Sequence, residues 1–457
     1  MTILDVSIVN VALPTIGEAL DFSRENLQWV ITAYAIAFGG FLLLGGRAAD
    51  LLGRRRVFMV GVAVFTIASL VCGLSESEGM LIGARAVQGL GGAIISPAAL
   101  SIVMTSFEEG RERNKALGVW GALGGSGAAV GVLAGGVLTD WLGWEWIFWV
   151  NVPVGIAVLL LTPFVVPESF RQTERRRYDP LGAITVTAGL ALLVYAISEA
   201  PNVGWGTART ILLLIASGAL LAAFVVIERT VEQPLMPFRI FRVRTVAGAN
   251  AVGALLGAVI FANFFLLTLY VQQVLGFSPL RTGFTFLATA GTAVLSAGVA
   301  QALTTRFGPK PVMTIGLILL TAAMVWYSQI PVDGSYVSDL LPGYIMVGIG
   351  IAFAFVPVSI AALAGVAERE AGLASGLINT SQQIGGAVGV ALASTVFITH
   401  SKTLAQDGAS ALAAQTGGYR WAFWALAFIG IASVIAALTL IKREEMAETP
   451  TTAPAAG

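Results

Sequence analysis

Two charged residues stand in stretches that are otherwise almost wholly apolar, which makes them the best candidates for chemistry. Asp5 lies in the stretch that opens the sequence, and Arg85 lies deep in another. A basic residue at the centre of a membrane-spanning helix costs about 2.5–3.5 kcal/mol, so a function is the default explanation for Arg85. Burial favours the neutral form of a carboxyl group and a nearby guanidinium favours the ionised form, so the pair could bind and release a proton. The simpler alternatives are a static arginine anchored on backbone carbonyls and a helix-end carboxylate in water.

The sequence has few residues that could form a disulfide, bind a metal ion or bind a nucleotide. There is one cysteine, Cys72, and one histidine, His400, among 457 residues. An intrachain disulfide and a Cys- or His-based metal cluster are therefore excluded. No Gly-x-x-x-x-Gly-Lys-Ser/Thr loop is present, which argues against a nucleotide as the energy source. The sequence predicts neither an enzyme nor a metal site nor a bound cofactor.

The composition predicts a membrane protein. Hydrophobic residues make up 56% of the chain and charged residues 11%, and the mean hydropathy is +0.84. An average soluble protein is about a quarter charged, so this chain could not cover a water-soluble surface of its size. Soluble enzymes and nucleic-acid-binding proteins are poor candidates for the same reason. The 26 basic and 26 acidic residues cancel, so net charge indicates no anionic partner.

The elements that must position Asp5 and Arg85 are membrane-spanning helices. A hydrocarbon core about 30 Å thick needs roughly 20 apolar residues as helix. Fourteen stretches of about that length are present, and an all-α polytopic protein follows from them. They are 1–19, 28–46, 57–74, 79–105, 116–138, 146–166, 181–200, 210–228, 246–271, 282–303, 311–330, 340–363, 373–399 and 420–441.

The distribution of Lys and Arg predicts the orientation. Of the 26 basic residues, 20 fall in alternate loops and the tail, five fall in the opposite loops, and one is Arg85. Because cytoplasmic loops are enriched in Lys and Arg, we expect both termini to be cytoplasmic.

An internal repeat divides the chain into two halves. Gly53 and Gly308 stand 255 positions apart in equivalent loops, and Gly89 and Gly348 stand 259 apart in equivalent spans. Repeats of this kind are common in secondary transporters. We therefore expect a six-helix half over 1–180, two inserted helices and a connector over 181–244, a second six-helix half over 245–443, and a disordered tail over 444–457. The repeat also places the start of the first span about ten positions before Met1, which predicts a longer native start or a short first helix.

The loop after the second span has spaced glycines and an acid among four arginines. It reads Gly46-Arg47-Ala48-Ala49-Asp50-Leu51-Leu52-Gly53-Arg54-Arg55-Arg56. Asp50 amid arginines could latch helix ends together through charge-assisted hydrogen bonds. A simple positive-inside anchor would explain the arginines but not the glycines and the acid. The pattern resembles the signature loop of the major facilitator superfamily, and Gly46, Asp50, Gly53, Arg54 and Arg55 are the expected latch residues.

Three further segments resemble the fourteen-helix drug:proton antiporter branch of that superfamily. They are Leu4-Asp5-Val6-Ser7-Ile8-Val9-Asn10-Val11-Ala12-Leu13-Pro14, the run from Leu81 to Gly92 that contains Arg85, and the run from Gly127 to Gly136. The third departs from the pattern, because Val132 occupies the usual proline position. Asn151-Val152-Pro153 also fits the branch, but Glu145 stands where an arginine is usual. The resemblance implies transport across a bacterial cytoplasmic membrane driven by the proton gradient, and we expect a monomer.

Glycines in the fifth span predict close helix packing. Gly127, Gly131 and Gly135 recur every four residues and Gly136 follows them. Such a flat stripe lets a neighbouring helix approach closely. Static packing and a moving interface explain it equally well.

Neutral polar residues in the spans are candidates for a substrate cavity. Asn379, Gln382 and Gln383 share a helical face by their spacing. They could line a pocket or join helices by hydrogen bonds. The other candidates are Asn10, Tyr34, Gln88, Asn250, Asn263 and Tyr270.

Three functions fit the sequence. The first is a proton-coupled exporter of lipophilic drugs or antibiotics, in which two halves rock about a midplane cavity. The second is a proton-coupled exporter or symporter of an endogenous metabolite. The third, from another class, is a membrane sensor or scaffold that transports nothing. Asp5 and Arg85 argue against the third, because a scaffold needs neither charge in the membrane.

Overall fold

The computed structural model describes residues 1–23, 26–106, 130–167, 179–231, 234–235, 238–363 and 371–441. Within helices, the side chains at positions 3, 43, 47, 50, 51, 104, 105, 201 and 371–373 are also outside the description. Of the sequence predictions, Gly127, the side chain of Asp50 and the tail at 444–457 therefore lie outside the described part of the chain.

The described chain is built from helices that we number in chain order. The first six are α1 (Thr2–Ala19), α2 (Trp29–Leu52), α3 (Arg54–Gly73), α4 (Glu78–Ser106), α5 (described over Val130–Trp141) and α6 (Trp146–Val165). An inserted pair follows, α7 (Pro180–Val203) and α8 (Ala208–Thr230), and then a short 3₁₀ turn, Phe238–Arg242. The last six are α9 (Arg244–Leu269), α10 (Pro279–Phe307), α11 (Pro309–Tyr327), α12 (Leu341–Leu363), α13 (Ala371–Gln406) and α14 (Ala411–Leu440). One π-helical turn, Tyr270–Val274, continues α9, and another, Tyr336–Leu340, leads into α12.

The all-α prediction is confirmed. Each of the fourteen predicted stretches overlaps one of these helices, the fifth over the part that the structure describes. Among the described residues, eleven helices are long and apolar enough to cross a membrane, and the segments Trp29–Leu42 and Val130–Trp141 are apolar but shorter. The count of fourteen crossings stays a prediction. Helix α1 has 18 residues, whereas its repeat partner α9 has 26. The prediction that the native chain starts further upstream stays a prediction.

The same helix pairings recur in the two groups of six. Helix α4 packs against α2 and α3, and α12 packs in the same way against α10 and α11. Likewise α3 packs against α6, and α11 packs against α14. These pairings are what an internal repeat requires, since each half must bury equivalent faces.

The turns before α3 and α11 are alike in backbone and in charge. Gly53 and Gly308 both adopt positive φ, 97° and 84°, which lets one helix end and the next begin within a single residue. Two residues later, Arg55 donates to the carbonyl of Val166 at 3.2 Å, and Lys310 donates to the carbonyl of Ile441 at 2.7 Å. A cation on the last carbonyls of a helix stabilises that end. The two halves thus close the ends of α6 and α14 by the same device.

The inserted pair contacts both halves. Helix α7 packs against α2 and α13 as well as against α8. Gln28, just before α2, donates to the hydroxyl of Ser198 at 2.7 Å, and Thr395 of α13 donates to the carbonyl of Ile197 at 3.0 Å. Neighbouring residues of α7 are therefore bonded to opposite halves of the molecule.

Candidate functional site

Asp5 and Arg85 form a buried ion pair. The Asp5 side chain is 0% exposed and that of Arg85 is 1% exposed, and Arg85 Nη1 lies 2.6 Å from Asp5 Oδ2. Arg85 also donates from Nε to the carbonyl of Val30 at 2.8 Å and from Nη1 to Gln88 Oε1 at 2.6 Å. The arginine is therefore bound to α1 and to the backbone of α2 as well as to its own helix α4. It is neither alone in lipid nor held only by carbonyls.

Two amides complete the surroundings of the carboxylate. Asp5 Oδ1 accepts from Gln88 Nε2 at 2.8 Å and from Asn151 Nδ2 at 3.1 Å. Asn151, on α6, also donates to Ser69 Oγ on α3 at 3.1 Å. A carboxylate that accepts several hydrogen bonds is stabilised in its ionised form. Three side chains from α4 and α6 thus donate to the carboxylate of α1, and Ser69 of α3 supports two of them.

The sequence prediction missed Asn151 and Ser69. Asn151 belongs to a segment that resembles the antiporter branch, but no role followed from that resemblance. Neutral polar residues are frequent helix connectors in membranes, so residue type alone does not separate them from packing residues. Gln88 was predicted for the substrate cavity, and the structure places it on the carboxylate instead.

Aromatic rings cover the guanidinium. The Arg85 Cζ atom lies 4.5 Å from the centroid of the Tyr34 ring and 5.7 Å from that of Phe148. Cations over aromatic faces gain about 0.5–2 kcal/mol when they are shielded from water. Tyr34, predicted for the cavity, is thus part of the charged cluster. The thiol of Cys72 lies 3.7 Å from Gln88 Oε1 at its edge.

The glycines of α5 lie against α1, beside the carboxylate. A Cβ atom on Gly131 would contact Ser7 and the carbonyl of Leu4, and one on Gly135 would lie 2.7 Å from the carbonyl of Ile8. Gly136 turns to the other half, where its Cβ would lie 2.9 Å from the Leu280 Cα at the start of α10. The stripe therefore brings α5 into backbone contact with the helix that carries Asp5 and with the opposite half.

Most of the predicted latch residues can be placed. A Cβ on Gly46 would lie 3.4 Å from the Pro97 side chain of α4, so α2 and α4 are close there. Arg54 is buried at the start of α3. Arg55 caps α6 as described above. The role of Asp50, whose side chain is outside the description, stays a prediction.

The cavity candidates on α13 do not all face the same neighbour. Gln382 is buried against α9, where its Cγ lies 3.6 Å from the Cβ position of Gly253. Gln383 lies against α2, since its Cβ is 3.2 Å from the Cβ position of Gly39, and Asn379 is exposed. Asn250 of α9 accepts from Ser381 at 2.9 Å and so joins two helices.

The remaining candidates for the substrate cavity fall into two groups. Asn10 and Asn263 are buried, and each has an amide oxygen without a hydrogen-bond partner among the described residues. A buried polar atom of this kind is costly unless something binds it, which keeps both residues as cavity candidates. Tyr270 instead donates to the carbonyl of Pro331 and packs edge-on against Tyr419.

A cavity of about 240 Å³ lies between α2, α13 and the inserted pair. Its lining is mostly aliphatic, with hydroxyls from Thr380 and Ser381. None of the predicted cavity residues lines it, although Thr380 and Ser381 adjoin Asn379 and Gln382 in the sequence.

Comparison with known proteins decides the family. The family model of the Major Facilitator Superfamily matches residues 1–390. The chain belongs to this superfamily. Its members are membrane transport proteins, and the predictions of a transporter and not an enzyme are confirmed at that level.

Several superfamily relatives are named for antibiotics. The puromycin resistance protein of Streptomyces alboniger is 40% identical over 98% of this chain and 90% of its own length. The cephamycin export protein of Amycolatopsis lactamdurans is 38% identical over 96% of this chain and 89% of its own length. The tetracenomycin C resistance and export protein of Streptomyces glaucescens is 32% identical over 86% and 72%.

Solved structures support the superfamily fold. A bacterial homologue of the human lysosomal transporter Spinster, in an inward-facing and unoccupied conformation, matches with a TM-score of 0.71 at 16% identity, over 98% of this chain and 96% of that one. At that identity the likeness concerns the fold alone.

In the second half, as far as the structure describes it, a tyrosine stands at the position equivalent to Arg85. Tyr344 of α12 stands 259 positions after Arg85, the same separation as Gly89 and Gly348. Its hydroxyl lies 3.1 Å from Thr285 Oγ1 and its ring packs edge-on against Tyr327. Tyr327 in turn packs against Phe423. The run Tyr419–Trp424, which contains Phe423, is similar to the run Trp144–Trp149, which contains Phe148. A neutral aromatic cluster thus surrounds the position equivalent to Arg85.

Proposed function

We propose that this protein exports lipophilic antibiotics or drugs across the bacterial cytoplasmic membrane in exchange for protons. The observation that carries the proposal is the fully buried Asp5–Arg85 pair, because a charge that costs several kcal/mol in a membrane is retained where it acts. Relatives named for puromycin, cephamycin and tetracenomycin C support the class of substrate.

The buried pair supplies a mechanism for coupling. With Asp5 ionised, α1 is bound to Arg85 on α4 and to Asn151 on α6. A proton on Asp5 removes the negative charge, so these bonds weaken and α1 can move relative to α4 and α6. A proton that crosses the membrane releases about 2.3 kcal/mol per 100 mV, enough to drive export against a gradient.

The glycines of α5 connect this event to the rest of the molecule. Gly135 lies against α1 and Gly136 against α10 of the opposite half. A shift of α1 would therefore be transmitted through α5 to the interface between the halves. Substrate would then move as the two halves rock about a central cavity. Asn10 and Asn263 are the best candidates for polar contacts with substrate in that cavity.

The remaining parts of the proposal follow from the sequence. The proton gradient is the energy source in place of a cofactor, both termini are cytoplasmic, and the transporter acts as a monomer. The substrate is a lipophilic small molecule that reaches the protein from the bilayer or the cytoplasm.

Export of a compound made by the same cell is the second candidate. Relatives named for export from Streptomyces and Amycolatopsis favour it. It differs from drug efflux in the breadth of substrates, since a dedicated exporter would accept one compound class.

A transport assay over a drug panel tests the proposal. Cells that lack their own efflux pumps would express the protein and be loaded with puromycin, lincomycin or tetracenomycin C. We expect lower steady-state accumulation of at least one compound, restored when an uncoupler abolishes the proton gradient. Unchanged accumulation across the panel would contradict drug export, and lowered accumulation that persists with the uncoupler would contradict proton coupling.

A further inference from the structure

Ser69 fixes the direction of the hydrogen bonds around Asp5 without touching it. Its hydroxyl is fully buried and lies 2.9 Å from the backbone carbonyl of Phe148. A carbonyl oxygen can only accept, so the single hydroxyl proton of Ser69 is used there. The Ser69 oxygen can then only accept from its other neighbours, Gln88 and Asn151, which lie 3.1 Å away.

Both amides must therefore turn their NH2 groups toward Ser69. An amide nitrogen carries two protons, and the second one on each residue reaches Asp5 Oδ1, at 2.8 Å from Gln88 and 3.1 Å from Asn151. The oxygen of Gln88 agrees with this orientation, because it lies between two donors, Arg85 Nη1 at 2.6 Å and the Cys72 thiol at 3.7 Å. A reversed amide would set an oxygen against the carboxylate.

We propose that Asn151 and Ser69 are positioning residues that set the pH at which Asp5 takes up its proton. Their contribution adds to that of Arg85, because they act on the other carboxylate oxygen, Oδ1. The proposal rests on the proposed role of Asp5 as the proton carrier. In this proposal α6 and α3 take part in proton coupling, whereas the ion pair alone involves only α1 and α4.

The sign of the effect follows from the donors. Hydrogen bonds to Oδ1 stabilise the ionised carboxylate, so their loss favours protonation at higher pH. The titratable or charged groups that face the network are Arg85 on α4, Tyr34 on α2, Cys72 on α3 and the amino group of Met1 on α1 itself. None of them is removed by a change at Asn151 or Ser69.

Infrared titration of the purified protein tests the proposal. The carbonyl stretch of protonated Asp5, identified by its loss in Asp5→Asn, is followed against pH in wild type, Asn151→Leu and Ser69→Ala. We expect Asn151→Leu to move the midpoint upward by about one pH unit, the size expected for one hydrogen bond to a charged group. Ser69→Ala should move it in the same direction by less, because Ser69 reaches the carboxylate only through the two amides. Ser69→Thr keeps the hydroxyl and should keep the wild-type midpoint.

Thr162→Val is the matched control. Thr162 is a buried residue of α6 like Asn151, three turns further along, and its hydroxyl bonds only to the carbonyl of Val158 in its own helix. Its midpoint should equal that of wild type. Should Asn151→Leu fail to fold, Asn151→Ser and Ser69→Ala give the same comparison.

Midpoints unchanged in folded Asn151 and Ser69 variants would overturn the proposal, as would a downward shift or an equal shift in Thr162→Val. An Asp5 band that never appears over the pH range in which wild type and both variants stay folded would count against it as well. The titration does not require transport. A wild type that moves no drug but shows the expected shifts would therefore refute the proposed function and leave this assignment standing.

Discussion

At the scale of the residue, the central feature is the Asp5 carboxyl group, which is buried against an arginine in a helix of membrane-spanning type. Asp5 accepts hydrogen bonds from Arg85, Gln88 and Asn151, and its side chain is fully buried. Desolvation of two charges offsets much of their attraction, so a buried ion pair adds little net stability. Its retention is better explained by what happens when one charge is neutralised.

Removal of one partner should cost more than removal of both. Arg85→Gln leaves the Asp5 charge buried without its counter-ion, and we expect a loss of about 3 kcal/mol in the free energy of unfolding. The double variant Asp5→Asn, Arg85→Gln has no buried charge and should recover most of that loss. Denaturant unfolding in detergent micelles, followed by tryptophan fluorescence, measures both. Equal losses in the single and double variants would show that the pair is not held by charge.

Sequence could identify the charged members of this site but not the neutral ones. Asp5 and Arg85 were predicted because charges in apolar stretches are rare. Asn151 and Ser69 gave no such signal, since amides and hydroxyls occur throughout membrane helices as connectors. For the same reason the sequence analysis assigned Tyr34 and Gln88 to the substrate cavity. Neither an internal repeat nor helical periodicity indicates which neighbouring helix a side chain contacts.

At the scale of the element, the contact between α5 and α1 links the carboxylate to the rest of the bundle. Gly131 lies against Leu4 and Ser7 of α1, and Gly135 lies against Ile8. The two backbones therefore meet within one helical turn of Asp5. A larger residue at either glycine would displace α1, and the Asp5 carboxylate with it.

Gly135→Val should separate α1 from α5. Its Cβ would lie 2.7 Å from the Ile8 carbonyl, a backbone atom that cannot turn away. We expect a loss of about 1–3 kcal/mol in stability from overpacking and a loss of proton-coupled transport. Gly291→Val on α10 is the control, because no atom lies within 4 Å of its Cβ position. If Gly135→Val transports as wild type does, the contact has no part in coupling.

The helices themselves were largely predictable, because every predicted apolar stretch overlaps one in the described part of the chain. Their ends were not. Helix α13 was expected over 373–399 and extends over Ala371–Gln406, 36 residues. That is about 54 Å of helix, well beyond the hydrocarbon thickness, and hydropathy gives no signal outside it. The π-helical turns at Tyr270–Val274 and Tyr336–Leu340 also had no signature in the apolar pattern.

At the scale of the whole molecule, the two halves share their helix pairings and differ in their chemistry. The first half buries Asp5 and Arg85, whereas the second buries Tyr344 at the position equivalent to Arg85, with Tyr327 packed against it. We infer that proton binding belongs to the first half and that the second half is its neutral partner.

Tyr344→Phe tests this division. The change removes one hydroxyl contact, to Thr285 at 3.1 Å, and should cost about 1 kcal/mol of stability. Drug-driven proton movement should remain, in contrast to Arg85→Gln, which should lose it. Parallel assays of the two variants in proteoliposomes make the comparison. Loss of proton movement in a folded Tyr344→Phe protein would show that the second half takes part in proton coupling.

The most direct measurement of the central claim is proton movement driven by substrate alone. Purified protein in liposomes has equal pH on both sides and a membrane potential clamped by potassium and valinomycin. It is given a gradient of a drug that the accumulation assay identifies as a substrate, and a trapped dye reports internal pH. We expect proton flow opposite to the drug gradient in wild type, none in Asp5→Asn, and wild-type flow in Gly291→Val. Proton flow in Asp5→Asn equal to that of wild type, or drug transport by wild type without any proton flow, would contradict proton coupling through Asp5.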